Sequence, residues 1–164
     1  MKAIRLRPLD KNDWYSVSKI YSEGIATGIA TFETEYPSWE QWNNKYLSHG
    51  RLVAVLNDAV IGFAVLAAVS KRIVYKGVAE VSVYVSEAFR GQHVGERLLK
   101  MLIRESEANG IWTLQASVFS ENKASINLHL KCGFRMVGVR EKIGKLKGTW
   151  YDNLLLERRS EIIQ

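Results

Sequence analysis

Apolar and charged positions alternate in "AIRLR", residues 3–7, which predicts a first strand. Behind it, Asp10 stands at a helix-cap position with Asp13 three residues on, a weak capping box. Trp14, Val17 and Ile20 then recur on one helical face. "GIATGIATFETEYPS" is a Gly/Thr-rich connection, and Trp39 to Leu47 form a Trp-rich helical patch. "RLVAVLNDAVIGFAVLAAV" predicts two strands joined by a tight turn at Asn57-Asp58. A basic, aromatic loop, "SKRIVYKG", leads into the strand "VAEVSVYVS". That strand puts Ala79, Val81, Val83 and Val85 on one face, and Glu80, Ser82 and Tyr84 on the other.

Further on, Val94, Leu98 and Leu102 mark an amphipathic helix that ends near Asn109-Gly110. "WTLQASVF" predicts another strand, Asn122 to Lys131 a short helix closed by Gly133. "FRMVGVREKI" and "TWYDNLLLE" predict two last strands around a Lys/Gly-rich turn. No repeat, linker or low-complexity segment divides the chain. The pattern predicts one domain over residues 1–164, of mixed α/β or α+β class, with a central sheet covered by helices on both faces.

Composition narrows the function. The chain has 164 residues, enough to bury a core without disulfide or metal staples. Its one cysteine, Cys132, lies on an apolar stretch and reads as a small buried hydrophobe rather than a nucleophile. Three scattered histidines offer no metal-ligand spacing, so no metal is expected. No apolar run has the length of a membrane span and "MKAIRLRPLD" lacks a secretory apolar core, which predicts a cytoplasmic protein. The formal net charge is +6, but its basic residues are spread out with few aromatics between them. That pattern favours an anionic small ligand over nucleic acid.

Three stretches carry candidate chemistry. "FRGQHVGERLL", residues 89–99, runs from a strand through glycines into a helix, so successive backbone N–H groups can meet an anion at the helix N-terminus. A plain turn with sterically required glycines stays open, and neither a Walker loop nor a dinucleotide fingerprint fits. Glu80 interrupts a valine-rich strand, either as a general base or as part of a solvated face. In "ENKASINLHLKCGF", Asn122 can cap the helix or donate to a ligand, and His129 can be a packed residue or a catalytic one. All three could meet where the central strands splay.

"VYVSEAFRGQHVGERLL" followed by "NKASINLHLKCGF" resembles the GCN5-related N-acetyltransferase (GNAT) superfamily, and its phosphinothricin N-acetyltransferase branch most closely. "IYSEGIATGIATFETE" and "GTWYDNLLLERR" extend the resemblance over most of the chain from Ile20 to Arg159. It implies a largely antiparallel sheet of about seven strands with splayed central strands. It also implies acetyl-CoA as co-substrate, a small primary amine as acceptor, and a homodimer.

By the resemblance, Val83, Tyr84 and Val85 pair with the pantetheine arm. Arg90, Gly91, Gln92, His93, Val94, Gly95 and Glu96 form the pyrophosphate loop, and Asn122 holds the cofactor near its thioester. His93 replaces the loop's usual first glycine, and a histidine fits such a turn at negative φ. Glu80 becomes the general base, taking a proton from the acceptor ammonium directly or through water. His129 orients Glu80 or the acceptor, or protonates the leaving thiolate, and the Val83 amide faces the developing oxyanion. Phe32, Arg72 and Tyr75 form the acceptor pocket, with Arg72 (or Lys71 in its place) holding an acidic group. The implied acceptors are amino acids bearing a phosphinate, sulfoximine or sulfone. Alternatives are a peptide N-terminus or another small amine, and more distantly a non-catalytic acyl-CoA-binding protein.

Overall fold

The computed structural model describes residues 3–164. Along the chain come β1 (Arg5–Pro8), α1 (Trp14–Ala26), α2 (Trp39–Lys45), β2 (Leu52–Leu56), β3 (Ala59–Ala68) and β4 (Val78–Val85). Then follow α3 (Val94–Ala108), β5 (Thr113–Phe119), α4 (Lys123–Lys131), β6 (Arg135–Leu146) and β7 (Thr149–Arg159). The strands form one seven-stranded sheet in the order β1-β2-β3-β4-β5-β7-β6. Every neighbouring pair is antiparallel except β4 and β5, which run parallel.

Local sequence accounts for the joints. Asn57 and Asp58 both adopt positive φ, as a two-residue hairpin turn requires, so β2 and β3 follow each other directly. The Asp10–Asp13 capping box forms in both directions, and the same Asp13 carboxylate takes two 2.7 Å bonds from Arg7. That guanidinium holds Asp13 below the ordinary carboxylate range and ties β1 to the start of α1. The last hairpin differs from its expected form. β6 continues past Ile143 to Leu146, and the turn is Lys147-Gly148 alone. The extra length is absorbed at Lys142, which takes a positive φ and donates its amide to Asp152 at 2.7 Å.

Helices cover both faces. On one, Leu98, Leu99 and Leu102 of α3 and Ile126 of α4 pack on Ala64, Leu66, Val81 and Leu114. On the other, Val17, Ile20 and Tyr21 of α1 and Trp42 of α2 pack on Val53, Phe63 and Val65. β3 lies between the two clusters. Its residues 61–66 are therefore all buried, and read as one unbroken apolar run rather than an alternation. Of these, Ile61, Phe63, Val65 and Leu66 each contribute about 1.5–3 kcal/mol relative to exposure.

The functional consequence lies at the centre of the sheet. β4 stays paired with β3 from Ala79 through Val85, and β5 stays paired with β7 from Thr113 through Phe119. Between them, β4 and β5 share only three positions, Val78↔Thr113, Ala79↔Leu114 and Glu80↔Gln115. Beyond Glu80 the two halves part, which leaves the β5-facing edge of β4 without a strand partner.

Candidate active site

A cavity of about 830 Å³ fills this gap. Glu80 stands where pairing ends. Its Oε2 accepts from Ser117 Oγ at 3.1 Å and Gln115 Nε2 at 3.2 Å, both side chains of β5. These bonds fix the carboxylate across the gap, and its other oxygen has no hydrogen-bond partner among the described residues. A carboxylate so oriented can accept a proton from a group in the cavity.

Val83, Tyr84 and Val85 line the cavity from the open edge of β4, where free main-chain groups can pair with an extended ligand. Arg90, Gly91, His93, Val94, Gly95 and Glu96 line its far end, while Gln92 does not: its amide turns back to the Ala88 carbonyl at 3.1 Å. Gly91 has φ +74°, a turn conformation suited to glycine. Gly95 serves packing instead: a Cβ there would meet Leu128 at 3.3 Å and Val85 at 3.6 Å, so glycine lets α3 begin close against β4 and α4.

His93 corrects an expectation. It takes φ +61° and ψ +13°, the left-handed conformation, and its side chain gives α3 no cap. A turn of this shape explains why glycine is usual there, and the histidine carries the strain. His93→Gly is expected to raise stability by up to about 1 kcal/mol, the αL cost minus glycine's chain entropy. Urea denaturation checks this, and a loss of stability contradicts it.

An acid at an anion site would oppose binding, but Glu96 is neutralised. Lys100 and Lys131 each reach one of its oxygens at 2.7 Å, and His93 approaches at 3.2 Å. Those partners, Lys100 first, bring its carboxyl down to about 2. Loop, helix start and neutralised acid fit the phosphates of a CoA thioester, and the unpaired β4 edge fits its amide-bearing arm.

Asn122 caps its helix, and its amide bonds the protein's own main chain rather than standing free for a ligand. Its Oδ1 caps α4 at Ser125 N (3.1 Å), and its Nδ2 donates to the Ile29 carbonyl at 3.3 Å, so it ties the α1–α2 connection to the cavity wall. Two turns later His129 is 4% exposed. Its Nδ1 lies 2.7 Å from the Ser125 carbonyl, which can only accept, so Nδ1 carries the proton. Nε2 is then a lone-pair acceptor, buried with no partner among the described residues. Burial lowers the pKa of the ring, which stands edge-on to Phe134. A neutral ring with a bare Nε2 takes up a proton before it can give one, so donation to a leaving thiolate is a second step at most.

Phe32 lines the cavity, packed on Phe119 at 4.5 Å. Arg72 and Tyr75 do not: they lie on the exposed β3–β4 connection, where the Arg72 guanidinium sits 5.2 Å from the Tyr75 ring. The cavity wall instead holds residues the sequence reading passed over, namely Lys45, Tyr46 and Asn153. Tyr46 is a neutral phenol, its pKa pushed up to about 12 by burial. Asn153 is buried on β7 and its Oδ1 has no partner among the described residues. The available signal was a lone amide ahead of the apolar run "LLL". An unsatisfied buried acceptor costs about 1–3 kcal/mol, so Asn153→Leu is expected to stabilise the fold by about 1 kcal/mol. A lower melting temperature would contradict this. Cys132 is buried outside the cavity wall, and burial pushes its thiol up, so it supplies no nucleophile.

The acetyltransferase (GNAT) family profile matches residues 13–134, and the chain belongs to that family. It is an N-acetyltransferase by this membership and by its relatives. Phosphinothricin N-acetyltransferase of Alcaligenes faecalis is 33% identical over 95% of this chain and 82% of its own length. The L-methionine sulfoximine/L-methionine sulfone acetyltransferase of Pseudomonas paraeruginosa is 29% identical over 85% of each chain. Among solved structures, a GNAT phosphinothricin acetyltransferase from Sinorhizobium meliloti in complex with acetyl-CoA superposes with a TM-score of 0.85. It is 29% identical and covers 98% of this chain and 95% of that one. The largely antiparallel sheet with parted central strands agrees with the fold expected from the resemblance.

Proposed function

We propose that the chain transfers the acetyl group of acetyl-CoA to the primary amine of a small amino-acid-like acceptor of the phosphinothricin, methionine sulfoximine or methionine sulfone type. The observation that carries this reading is the Glu80 carboxylate, fixed by Ser117 and Gln115 where β4 and β5 part, in one cavity with the Arg90–Glu96 loop. The relatives' acceptors supply the chemical class.

When bound, acetyl-CoA supplies an activated thioester. Residues 83–85 and the loop Arg90–Glu96 hold it, with Asn122 bracing the wall beside it. Glu80 takes the proton that the acceptor must lose before its amine can attack. The bare Nε2 of His129 can accept a hydrogen bond or a proton. Phe32 and Phe119 cover the apolar part of the acceptor, and the Asn153 amide meets its polar head. The last β-strand in the sheet order, β6, exposes Met136, Val139 and Ile143 along the sheet edge, an apolar surface that a second copy would cover as a homodimer. Light scattering tests this, and a monomer mass contradicts it. A cytoplasmic location suits a polyphosphorylated co-substrate that does not cross membranes.

The test is thiol release from acetyl-CoA with a panel of methionine sulfone, methionine sulfoximine, phosphinothricin, peptides and polyamines. Turnover confined to the amino-acid acceptors supports the reading. Turnover confined to peptides or polyamines contradicts it.

A further inference from the structure

Resting on the acceptor class proposed above, we infer that Asn153 on β7 reads the head of the acceptor's side chain, and that its carboxamide is matched to a sulfoximine. Asn153 is a buried residue of the cavity wall, and its Oδ1 has no partner among the described residues. Asparagine is disfavoured in a strand, and a buried polar atom left bare is destabilising, so the fold alone gives no reason for an amide there. Its cross-strand neighbours do not satisfy it. Phe119, its partner on β5, has an apolar side chain, and Arg140, its partner on β6, is exposed.

The sheet register brings Asn153 within an acceptor's length of Glu80. Glu80 is paired with Gln115 and bonded to Ser117, and strand alternation puts Phe119 on the same face of β5. Phe119 pairs with Asn153, and Ser117 pairs with Leu155. Asn153 is therefore the diagonal neighbour of the serine that bonds Glu80, about 7–8 Å away across the two strands. Phe32, 4.5 Å from Phe119, adds a second aromatic surface to this part of the wall. An amino acid with its amine at Glu80 lays its short carbon chain along Phe119 and brings its side-chain head to Asn153.

A carboxamide offers an acceptor in Oδ1 and donors in Nδ2. A sulfoximine carries the complement on its sulfur, an N–H that donates and an oxygen that accepts. Both bonds can form at once, and the N–H supplies what the bare Oδ1 lacks. The amide turns about a broad χ2 well, so an arriving head can draw Oδ1 into line. The oxygens of a sulfone only accept, so a sulfone satisfies Nδ2 alone. The thioether of methionine leaves the whole amide bare.

The experiment measures thiol release on methionine sulfoximine, methionine sulfone and methionine with the wild type, Asn153→Leu and Asn153→Val. Ratios of kcat/KM between acceptors do not depend on how much of a sample is folded, so a poorly folding variant still reports. In the wild type, kcat/KM should fall from sulfoximine to sulfone to methionine. A neutral hydrogen bond is worth roughly 2- to 10-fold. Both variants should therefore lower the sulfoximine-to-methionine ratio roughly 5- to 100-fold, and the sulfone-to-methionine ratio roughly 2- to 10-fold. The loss should fall on KM, with kcat for the sulfoximine within about twofold, because the head is held alike in ground state and transition state. A wild type that prefers the sulfone overturns the assignment, as do ratios unchanged in both variants, or an equal loss on all three acceptors. A wild type that acetylates none of these amino acids, yet acetylates peptides or polyamines, overturns the acceptor class itself.

Discussion

Glu80→Gln is expected to lower turnover at neutral pH by about 10²–10⁴-fold, the usual contribution of a positioned base. The substitution keeps the shape of the side chain, and an amide oxygen can still accept from Ser117 and Gln115, so the gap between β4 and β5 should hold its form. What disappears is the proton acceptor. An acceptor amine is largely ammonium at neutral pH, and the variant must wait for the small fraction deprotonated in solution. That fraction grows with pH, so the defect should shrink steadily as pH is raised from about 7 to about 10. Acetyl-CoA affinity should barely change, because the edge of residues 83–85 and the Arg90–Glu96 loop are untouched. Thiol-release rates across that pH range, with a melting curve at each end, make the measurement. Near-normal turnover at neutral pH would remove Glu80 from the base role. A collapsed melting temperature would make it a structural residue.

The second large effect is expected at His129. His129→Ala should slow turnover on the order of 10²-fold, and with Glu80→Gln the two losses should be less than additive, since both residues serve the same proton. The pH behaviour of the wild type gives an independent check. Burial lowers the His129 pKa in the folded chain, against a partly compensating bond to the Ser125 carbonyl. The unfolded chain keeps the ordinary value of about 6.5, so on acidification it binds the proton first. The stability that His129 provides as a neutral ring is thus complete above about pH 6.5. It is lost as pH falls from there through the folded-state value, with a slope of at most about 1.4 kcal/mol per pH unit. Urea midpoints measured between about pH 7.5 and about pH 5 should fall for the wild type. They should fall less for His129→Ala, which is less stable overall through the space left beside Phe134. Parallel pH profiles for the two proteins would mean that the ring is not held neutral.

Local chemistry made much of the fold legible. Asn57-Asp58 announces its hairpin because few residue pairs accept two positive φ values, and Asp10 with Asp13 announces a helix start through bonds that span three residues. Glu80 was visible because an acid is out of place among valines, and it ends up bonded across the gap. The conformation of His93 was not visible: a histidine in sequence says nothing of the sign of φ, and the turn around Gly91 sets it. Lys45 was one of 23 basic residues until α2 folded over the face that carries Glu80 and Ser82. Asn153 belongs to the cavity because β7 is drawn between β5 and β6, a long-range pairing that strand periodicity does not reveal. Arg72 and Tyr75 failed to join the site for the converse reason. Their connection packs on itself outside the cavity, and sequence position alone does not show where a loop points.

The central claim is that the gap between β4 and β5 is where acetyl transfer occurs. A crystal structure of the protein with bound acetyl-CoA tests it most directly. The account predicts a pantetheine arm paired with the main chain of residues 83–85, a pyrophosphate on the amides of the loop Arg90–Glu96, and an acetyl group in the same cavity as Glu80. A cofactor seated elsewhere, with the edge of β4 left empty, would contradict it.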